Sequence, residues 1–225
     1  MKAHPAPLPK LLDRLERQYG HPPRPLPKRA LDWILWENAG YLVSDERRRE
    51  AYRALERATG LEAAGILALP RDGLREIAAL GGMHSDRRVE KLVAIASTVE
   101  QEFDGDLESA LALPIPKARR ALKKFPGIGD PGADKILLFT KTHALPSVES
   151  NGLRVLLRLG LVAEAKSYST TYRAARSVLE QHADRGAVWL IRAFELLRIH
   201  GRELCKNNGP LCDACPLADG CPSAS

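Results

Sequence analysis

The cysteines are the residues of this chain whose type and spacing most directly predict chemistry. All four lie within the last 21 residues, with the spacing C-x6-C-x2-C-x5-C. Four thiolates brought together by one short segment would form a metal site, and sulfur ligands suit tetrahedral zinc or a 4Fe-4S cluster. A zinc ribbon usually pairs two C-x2-C units, whereas this segment has one, inside a wider loop. The spacing favours iron–sulfur over zinc, with two disulfides as a third alternative. The ligands would be Cys205, Cys212, Cys215 and Cys221.

Composition indicates the compartment and the class of partner. The rest of the chain has no cysteine and no recognisable signal peptide, which predicts a reducing compartment: the cytoplasm, with nucleoid association in a prokaryote. A net charge of +6 and a pI near 9.2 favour an anionic partner such as nucleic acid. No apolar run approaches the length of about 18 residues that a transmembrane helix needs, so no membrane partner is expected.

The pattern of apolar residues is helical almost throughout. After a proline-rich start with one amphipathic stretch at 10–19, helices are expected at 45–59, where Gly60 would end the helix, and at 86–103. The helix at 86–103 has an apolar stripe made of Val89, Leu92, Ala96 and Val99. Period-two alternation, typical of strands, is not evident. The chain is therefore predicted to be all-α.

A glycine-containing turn lies at the centre of the chain, between two predicted helices. Gly127 and Gly129 are two positions apart, and glycine lets a phosphate approach the backbone N–H groups. Asp130 is expected to cap the outgoing helix, with Pro131 at its first position. N–H groups at a helix start bind anions, and such contacts position a protein on DNA without reading sequence. Taken alone, such a turn is more often an ordinary connection between helices.

Two of these stretches resemble the endonuclease III family of DNA glycosylases. The segment 197–221 has the family's closing His-Gly helix followed by its four-cysteine spacing. The Phe-Pro-Gly-Ile-Gly run at 125–129 resembles the Leu-Pro-Gly-Val-Gly core of the family's helix-hairpin-helix. The resemblance covers roughly residues 30–222. It implies a 4Fe-4S cluster on the four cysteines, a monomer, and a partner that is double-stranded DNA containing a lesion or mismatch.

The resemblance also implies two catalytic positions, and this chain differs from the family at both. Bifunctional family members form a Schiff base through a lysine two residues after the second hairpin glycine, where this chain has Pro131. Proline has no amine to offer, so lyase chemistry of that kind is expected to be absent. Lys135 lies about 6 Å further along the helix, a shift that is large beside the tolerance of catalysis. A lyase that uses a relocated lysine is kept as an alternative.

Glu149 stands where the family has its catalytic aspartate. A carboxylate beside C1′ can stabilise an oxocarbenium-like transition state and orient water, which is all that a monofunctional glycosylase needs. The additional methylene of glutamate could shift the carboxylate by about 1 Å. The alternative is that Glu149 only favours the dipole in the first turn of the next helix.

Several further positions match DNA-contacting residues of the family. Asn38 would enter the gap left by a flipped base, with a helix cap or exposed amide as the alternative. Met83, in the Gly-Gly-Met-His loop with His84, would wedge into the duplex, although a core methionine is the alternative. Lys123 and Lys124 add positive charge before the hairpin, or form a solvated basic face. Lys206 in the cysteine loop would contact phosphate.

The resulting prediction is an all-α protein with two helical lobes around a cleft. An N-terminal arm at 1–30 would pack on the cluster lobe, and 31–145 would form a helical bundle that contains the helix-hairpin-helix at about 115–140. Residues 146–225 would supply the C-terminal helices and the cluster loop at 205–221. The expected activity is hydrolysis of the N-glycosidic bond of a flipped, damaged or mismatched base. A catalytically inactive protein that binds DNA damage is the rival interpretation.

Overall fold

The structure, a computed structural model, describes residues 6–22 and 27–224. Within these ranges the chain forms α-helices and three short 3₁₀ turns, with no β-strand, which confirms the all-α prediction. None of the helices in this part of the chain has the length and apolar character needed to cross a bilayer. The α-helices are α1 (Leu8–Tyr19), α2 (Ala30–Ala39), α3 (Asp45–Thr59), α4 (Ala63–Ala68), α5 (Arg71–Leu80), α6 (Ser85–Phe103), α7 (Leu107–Leu111), α8 (Ile115–Leu122), α9 (Asp130–Phe139), α10 (Ser150–Arg158), α11 (Tyr168–Glu180) and α12 (Gly186–Glu203).

Helix α3 shows how local signals set an element's ends. The Ser44 hydroxyl accepts a hydrogen bond from the Arg47 backbone N–H at 3.3 Å, which satisfies one of the free donors at the helix start. Gly60 ends the helix in the left-handed region, with φ of 64°. The predicted range 45–59 is therefore confirmed, including the role of Gly60.

One compact unit contains the described residues from 27 to 142. Its central helix is α2, where Trp33, Ile34 and Leu35 are all buried. Helix α2 packs against α3, α6, α7 and α9. The predicted stripe on α6 is confirmed, because Val89, Leu92, Ala96 and Val99 are all buried. This packing fixes the two elements, the end of α2 and the start of α6, that carry the candidate DNA-facing loops.

The other compact unit joins the described residues 6–22 to 143–224. Helix α1 contributes four buried leucines to one apolar cluster with α10, α11 and α12. Three of the cysteines, Cys205, Cys215 and Cys221, pack against the same cluster. The predicted arm at 1–30 falls partly on residues 1–5 and 23–26, which lie outside the described residues. The leucines of α1 are Leu8, Leu11, Leu12 and Leu15.

Candidate functional site

The turn between α8 and α9 is held by buried side chains and by one amide. Phe125 and Ile128 are buried, and the Phe125 ring stacks on Phe103 with 5.8 Å between centroids. Gly127 has a φ of 79°, a conformation that only glycine adopts without strain. Asn38 Nδ2 donates to the Pro126 carbonyl oxygen at 3.0 Å. The turn is therefore a fixed backbone surface rather than a loose connection.

The start of α9 differs from its prediction in one detail. The N-cap residue is Gly129 and not Asp130, and within the described chain no side chain caps this helix start. Asp130 lies inside the helix, and its carboxylate pairs with Lys123 Nζ at 2.7 Å. Pro131 occupies the first turn, where its missing N–H is tolerated. The extended glycine leaves the first N–H groups of α9 without a side-chain cap, as an anion site requires.

The basic residues on the approach to the turn have carboxylate partners. Lys124 pairs with Glu102 and lies 5.5 Å from the centroid of the Phe103 ring. Lys123 and Lys124 are about half exposed, so both ammonium groups reach solvent. Arg119, which also precedes the turn, donates to Asp134 at 2.5 Å, and that carboxylate is fully buried. The exposure of the two lysines is compatible with the predicted phosphate contact, whereas Arg119 pairs with a buried carboxylate.

Asn38 is held inside the protein by two hydrogen bonds. Its side chain is buried, and Nδ2 donates to the Ile34 carbonyl as well as to Pro126, both at 3.0 Å. Asn38 therefore fastens the end of α2 to the hairpin turn in this structure. Its entry into the gap left by a flipped base stays a prediction. The exposed residues that follow it are Tyr41 and Leu42, at 64% and 80% exposure.

Met83 lies on the surface, which excludes the alternative of a core methionine. Its side chain is 72% exposed. The loop that carries it is held from below by Arg88, whose buried guanidinium donates to the carbonyls of Ala78 at 2.6 Å, Gly82 at 3.3 Å and Met83 at 3.1 Å. Burial lowers the pKa of Arg88 from its ordinary value. A rigid loop with an exposed apolar tip fits the predicted wedge.

The Met83 loop and the Tyr41 loop are adjacent. The Tyr41 N–H donates to the Gly81 carbonyl at 3.3 Å. A Cβ at position 81 would lie 1.9 Å from the Ala39 carbonyl oxygen, so only glycine fits there. Between the loops is a pocket of about 390 Å³ lined in part by His84, which is predicted to contact DNA. Its lining is Glu37, Asn38, Gly40, Tyr41, Met83, His84, Arg87, Arg88 and Lys91.

Lys135 pairs with a carboxylate of the protein, whereas a lyase lysine must be available to attack the sugar carbon C1′. Its ammonium pairs with the Glu37 carboxylate and lies 4.9 Å from the centroid of the Trp33 ring. The side chain is only 14% exposed. Both neighbours hold the ammonium in place, whereas a Schiff-base lysine must reach the sugar carbon.

Glu149 is the N-cap residue of α10, and both of its carboxylate oxygens have partners. Oε1 accepts from the Gly152 N–H at 2.9 Å, and Oε2 accepts from Asn151 Nδ2 at 2.9 Å and from Ser150 Oγ at 3.4 Å. The residue is half-buried. The bonds fix the orientation of the carboxylate. Glu149 therefore acts at the helix start, and its catalytic role stays a prediction.

A chain of hydrogen bonds leads from Glu149 to the cysteine loop. Asn151, which donates to Glu149, accepts from Arg154 Nη2 at 2.8 Å. The same guanidinium donates to the Gly201 carbonyl at 2.6 Å and to the Cys205 carbonyl at 2.9 Å. The sequence gives Arg154 no motif, so its role is visible only in the structure. A disturbance of the cysteine loop would therefore reach the orientation of the carboxylate.

The four cysteines have free thiols that line a single pocket. Arg158 Nη1 donates to Cys205 Sγ at 3.4 Å, and the Leu217 N–H donates to Cys215 Sγ at 3.4 Å. Burial, and the charge of the other three thiols, raise the pKa of Cys215. Among the described residues, no three histidine, cysteine, aspartate or glutamate side chains are grouped as around a metal ion. Lys206 is exposed, and its carbonyl accepts from Arg158 at 2.6 Å.

His200, at the end of α12, touches the wall of this pocket. Its ring is 2% exposed, and burial lowers its pKa to about 4. Nδ1 lies 2.9 Å from the Tyr19 hydroxyl, and Nε2 lies 3.6 Å from Cys215 Sγ. Burial also raises the pKa of Tyr19, so its hydroxyl stays protonated. The predicted closing His-Gly pair therefore serves packing and the cysteine pocket together.

Tyr168 is a second residue near Glu149 that sequence reasoning missed. It begins α11, is 53% exposed, and stacks on the buried ring of Tyr172 with 6.3 Å between centroids. Burial and the negative charge of Glu149 raise the pKa of Tyr168. The sequence signal was a tyrosine pair four residues apart after the Ser167 cap. An exposed aromatic ring beside a carboxylate is a surface on which a base or sugar could rest.

Comparison with known proteins shows that the chain is similar to DNA glycosylases. The chain is 27% identical over 212 residues to a thymine-DNA glycosylase of Aeropyrum pernix, covering 91% of this chain and 88% of that protein. It is 26% identical over 157 residues to endonuclease III of Rickettsia felis, covering 69% of this chain and 66% of that protein. No family model matches the chain.

Solved structures agree on the fold. A trapped covalent intermediate of endonuclease III with DNA superimposes with a TM-score of 0.76 at 16% identity, covering 96% of this chain and 95% of that one. A thermostable thymine-DNA glycosylase gives a TM-score of 0.76 at 15% identity, covering 96% and 94%. The predicted resemblance to the endonuclease III family is therefore confirmed, in sequence and in fold.

Proposed function

We propose that this chain, a relative of endonuclease III and thymine-DNA glycosylase with the endonuclease III fold, is a monofunctional DNA N-glycosylase. Its substrate would be double-stranded DNA with a damaged or mismatched base. The observation that carries the proposal is the carboxylate of Glu149, a half-buried residue whose orientation is fixed by hydrogen bonds. Two further observations support the absence of a lyase: Pro131 cannot form a Schiff base, and the ammonium of Lys135 is paired with Glu37.

The reaction follows from what this carboxylate can do. The bond between C1′ and the base nitrogen breaks, its electron pair leaves with the base, and positive charge develops at C1′. Glu149 stabilises that charge and accepts a proton from the water whose oxygen attacks C1′. The departing base takes up a proton, so the products are a free base and an abasic site in an uncut strand. Tyr168 would contact the extruded nucleotide, because its exposed ring lies within the electrostatic reach of Glu149.

The proposal includes the absence of lyase activity. A lyase needs an amine that attacks C1′ and stays bonded to it. Pro131 stands at the position where the family has that amine. Lys135 is the next lysine on α9, and it is held by its pairing with Glu37 and its contact with Trp33. It would have to leave both to attack C1′, so we propose that strand cleavage requires alkali or another enzyme.

DNA would be bound through features that each unit presents separately. In one unit, the turn with Gly127 and Gly129 offers backbone N–H groups to phosphate, and Lys123 and Lys124 add exposed charge. Met83 would wedge into the duplex, because its side chain is exposed on a loop that Arg88 holds rigid. Tyr41 and Leu42 join Asn38 as residues proposed to fill the gap left by the flipped base, since both are exposed and follow α2 directly. In the other unit, Lys206 would add a phosphate contact.

The cofactor we propose is a 4Fe-4S cluster bound by Cys205, Cys212, Cys215 and Cys221. The donor set fits, because four free thiols line one pocket and three of them pack against the apolar cluster. Burial, and the charge of the other three cysteines, raise the pKa of Cys215, and a cationic centre would stabilise its thiolate. Such a centre would cross-link the C-terminal segment. Through Arg154 it would also steady the carboxylate of Glu149.

A second function, binding of damaged DNA without catalysis, is favoured by one observation. Both oxygens of Glu149 are used at the start of α10, as a purely structural carboxylate would be. Under this alternative the hairpin and the wedge recognise distorted DNA, and no base is released.

One experiment separates these candidates. Purified protein would be incubated with duplexes carrying uracil, oxidised pyrimidines or a G·T mismatch, and strands would be resolved with and without hot alkali. The proposal predicts strand breaks that appear only after alkali on at least one substrate. Breaks without alkali, together with a borohydride-trapped adduct, would instead identify a lyase. Tight binding to every substrate with no break under either condition would identify the non-catalytic binder.

A further inference from the structure

We infer that Tyr19 of the N-terminal helix fixes the ring of His200 so that His200 Nε2–H donates a hydrogen bond to Cys215 Sγ. The three groups form a relay: the Tyr19 hydroxyl is 2.9 Å from Nδ1, and Nε2 is 3.6 Å from the sulfur. The Tyr19 and His200 rings are tilted by 58° with centroids 6.0 Å apart. This inference rests on the proposed cofactor, since its consequence is for the centre that Cys215 would bind.

The direction of the relay follows from what each group can donate. A metal-bound thiolate has no proton and can only accept. A neutral imidazole has a single N–H, and if that proton were on Nδ1, the Nε2 lone pair would face the sulfur lone pairs. The tautomer with the proton on Nε2 removes this repulsion, and it leaves Nδ1 as an acceptor for the Tyr19 hydroxyl. Tyr19 is therefore the group that selects the tautomer.

The relay has the surroundings that an outer hydrogen bond to a metal ligand needs. His200 is 2% exposed, so water does not compete for Nε2. Tyr19 is held because α1 buries four leucines in the same apolar cluster against which Cys215 packs. The backbone N–H of Leu217 donates to the same sulfur at 3.4 Å, so Cys215 would receive two hydrogen bonds. In sequence, Tyr19 and His200 are separated by 181 positions.

Two properties of the bound centre should depend on the relay. Hydrogen bonds to cluster sulfurs stabilise the reduced, more negative state and so raise the reduction potential. Partners that orient a ligand also strengthen metal binding, and their loss typically weakens it by roughly 10–100-fold. The N-terminal helix would thus be a positioning element for the cofactor, although it contributes no ligand.

The test is Tyr19→Phe in the full-length protein purified with its metal. Tyr172→Phe is the matched control, since it removes a tyrosine hydroxyl from the same apolar cluster, and Tyr172 does not line the cysteine pocket. The measurements are iron and sulfide content, the reduction potential, and the rate of iron loss to a chelator. Thermal unfolding followed by circular dichroism would show that both variants are folded.

The relay predicts that Tyr19→Phe shifts the potential downward and loses iron severalfold faster, while Tyr172→Phe behaves as wild type. His200→Gln, whose side-chain amide can donate without Tyr19, should restore the potential in the Tyr19→Phe background. Equal potentials and equal iron loss in wild type and Tyr19→Phe would overturn the inference. If the purified protein holds zinc, the proposal of a 4Fe-4S cluster is wrong, but the relay can still be tested. In that case, Tyr19→Phe that retains zinc as well as wild type does would overturn the relay. A protein that holds neither metal contradicts both. None of these measurements depends on base release.

Discussion

Replacing Asn38 by alanine would test whether this residue fastens the hairpin or enters DNA. The side chain is buried, and Nδ2 donates to the carbonyls of Ile34 and Pro126 at 3.0 Å. Its Oδ1 lies 3.4 Å from the position that a Cβ on Gly127 would occupy. The amide thus touches the turn at two adjacent residues. Asn38→Ala would leave the Pro126 carbonyl without this donor and would open space beside the turn.

The magnitude follows from these contacts. Leaving a partly buried acceptor unpaired costs about 1–3 kcal/mol, and the bond to Ile34 contributes little because that carbonyl already belongs to α2. We expect the free energy of unfolding to fall by about 2 kcal/mol. Affinity for undamaged duplex should fall as well, because the backbone of the turn is no longer held in place for phosphate. The assays are urea unfolding followed by circular dichroism, and fluorescence anisotropy with a labelled duplex.

Two results would refute this reasoning about Asn38. The control is Asn208→Ala, which removes an exposed amide from the cysteine loop. Asn38→Ala that is as stable as the control and binds undamaged DNA equally well would show that the amide does not hold the turn. If Asn38→Ala has normal stability and loses only base release from lesion duplexes, the result would support the predicted role of Asn38 in the gap left by the flipped base.

Three further predictions concern other named groups. Met83→Ala should weaken binding to lesion duplexes severalfold in anisotropy while leaving the melting temperature unchanged. Val188→Ala, at another exposed residue, is the control, and it should leave the melting temperature unchanged as well. A fall in the melting temperature of Met83→Ala as large as that of a core truncation would contradict the surface wedge. Lys135→Met should retain base release, and neither it nor wild type should give a borohydride-trapped adduct; an adduct in wild type that is lost in the variant would make Lys135 a lyase nucleophile. Arg154→Met should both loosen the bound metal and slow base release, because one guanidinium joins Asn151 to the Cys205 carbonyl; loss of one property without the other would disprove that coupling.

Local signals predicted much of the fold. Helix α3 spans the predicted range 45–59 and ends at Gly60 as predicted, and the stripe on α6 is buried as its periodicity indicated. The hairpin also lies where its two glycines predicted. These features depend on neighbours within a few residues, which is the range over which a sequence pattern carries direct physical information.

The features that were missed depend on tertiary contacts. Asn38 looked available from the sequence, but its partner Pro126 is 88 positions away, and only the packing of α2 on the hairpin buries it. The cap at α9 was assigned to Asp130, because aspartate is a better cap than glycine in isolation. The structure instead pairs that carboxylate with Lys123, seven residues earlier. Tyr168 carried no motif and became a candidate only because α11 begins near Glu149.

The most direct test of the central claim is the single-turnover rate of base release by Glu149→Gln. Glutamine keeps the length and can still accept from the Gly152 N–H, so the start of α10 is preserved while the charge is removed. Glu164→Gln, which changes an exposed glutamate of the same unit, is the control. The account predicts that Glu149→Gln loses about a hundredfold to ten-thousandfold in rate with DNA affinity unchanged, while Glu164→Gln behaves as wild type. Base release by Glu149→Gln at the wild-type rate would contradict the claim that this carboxylate performs the chemistry.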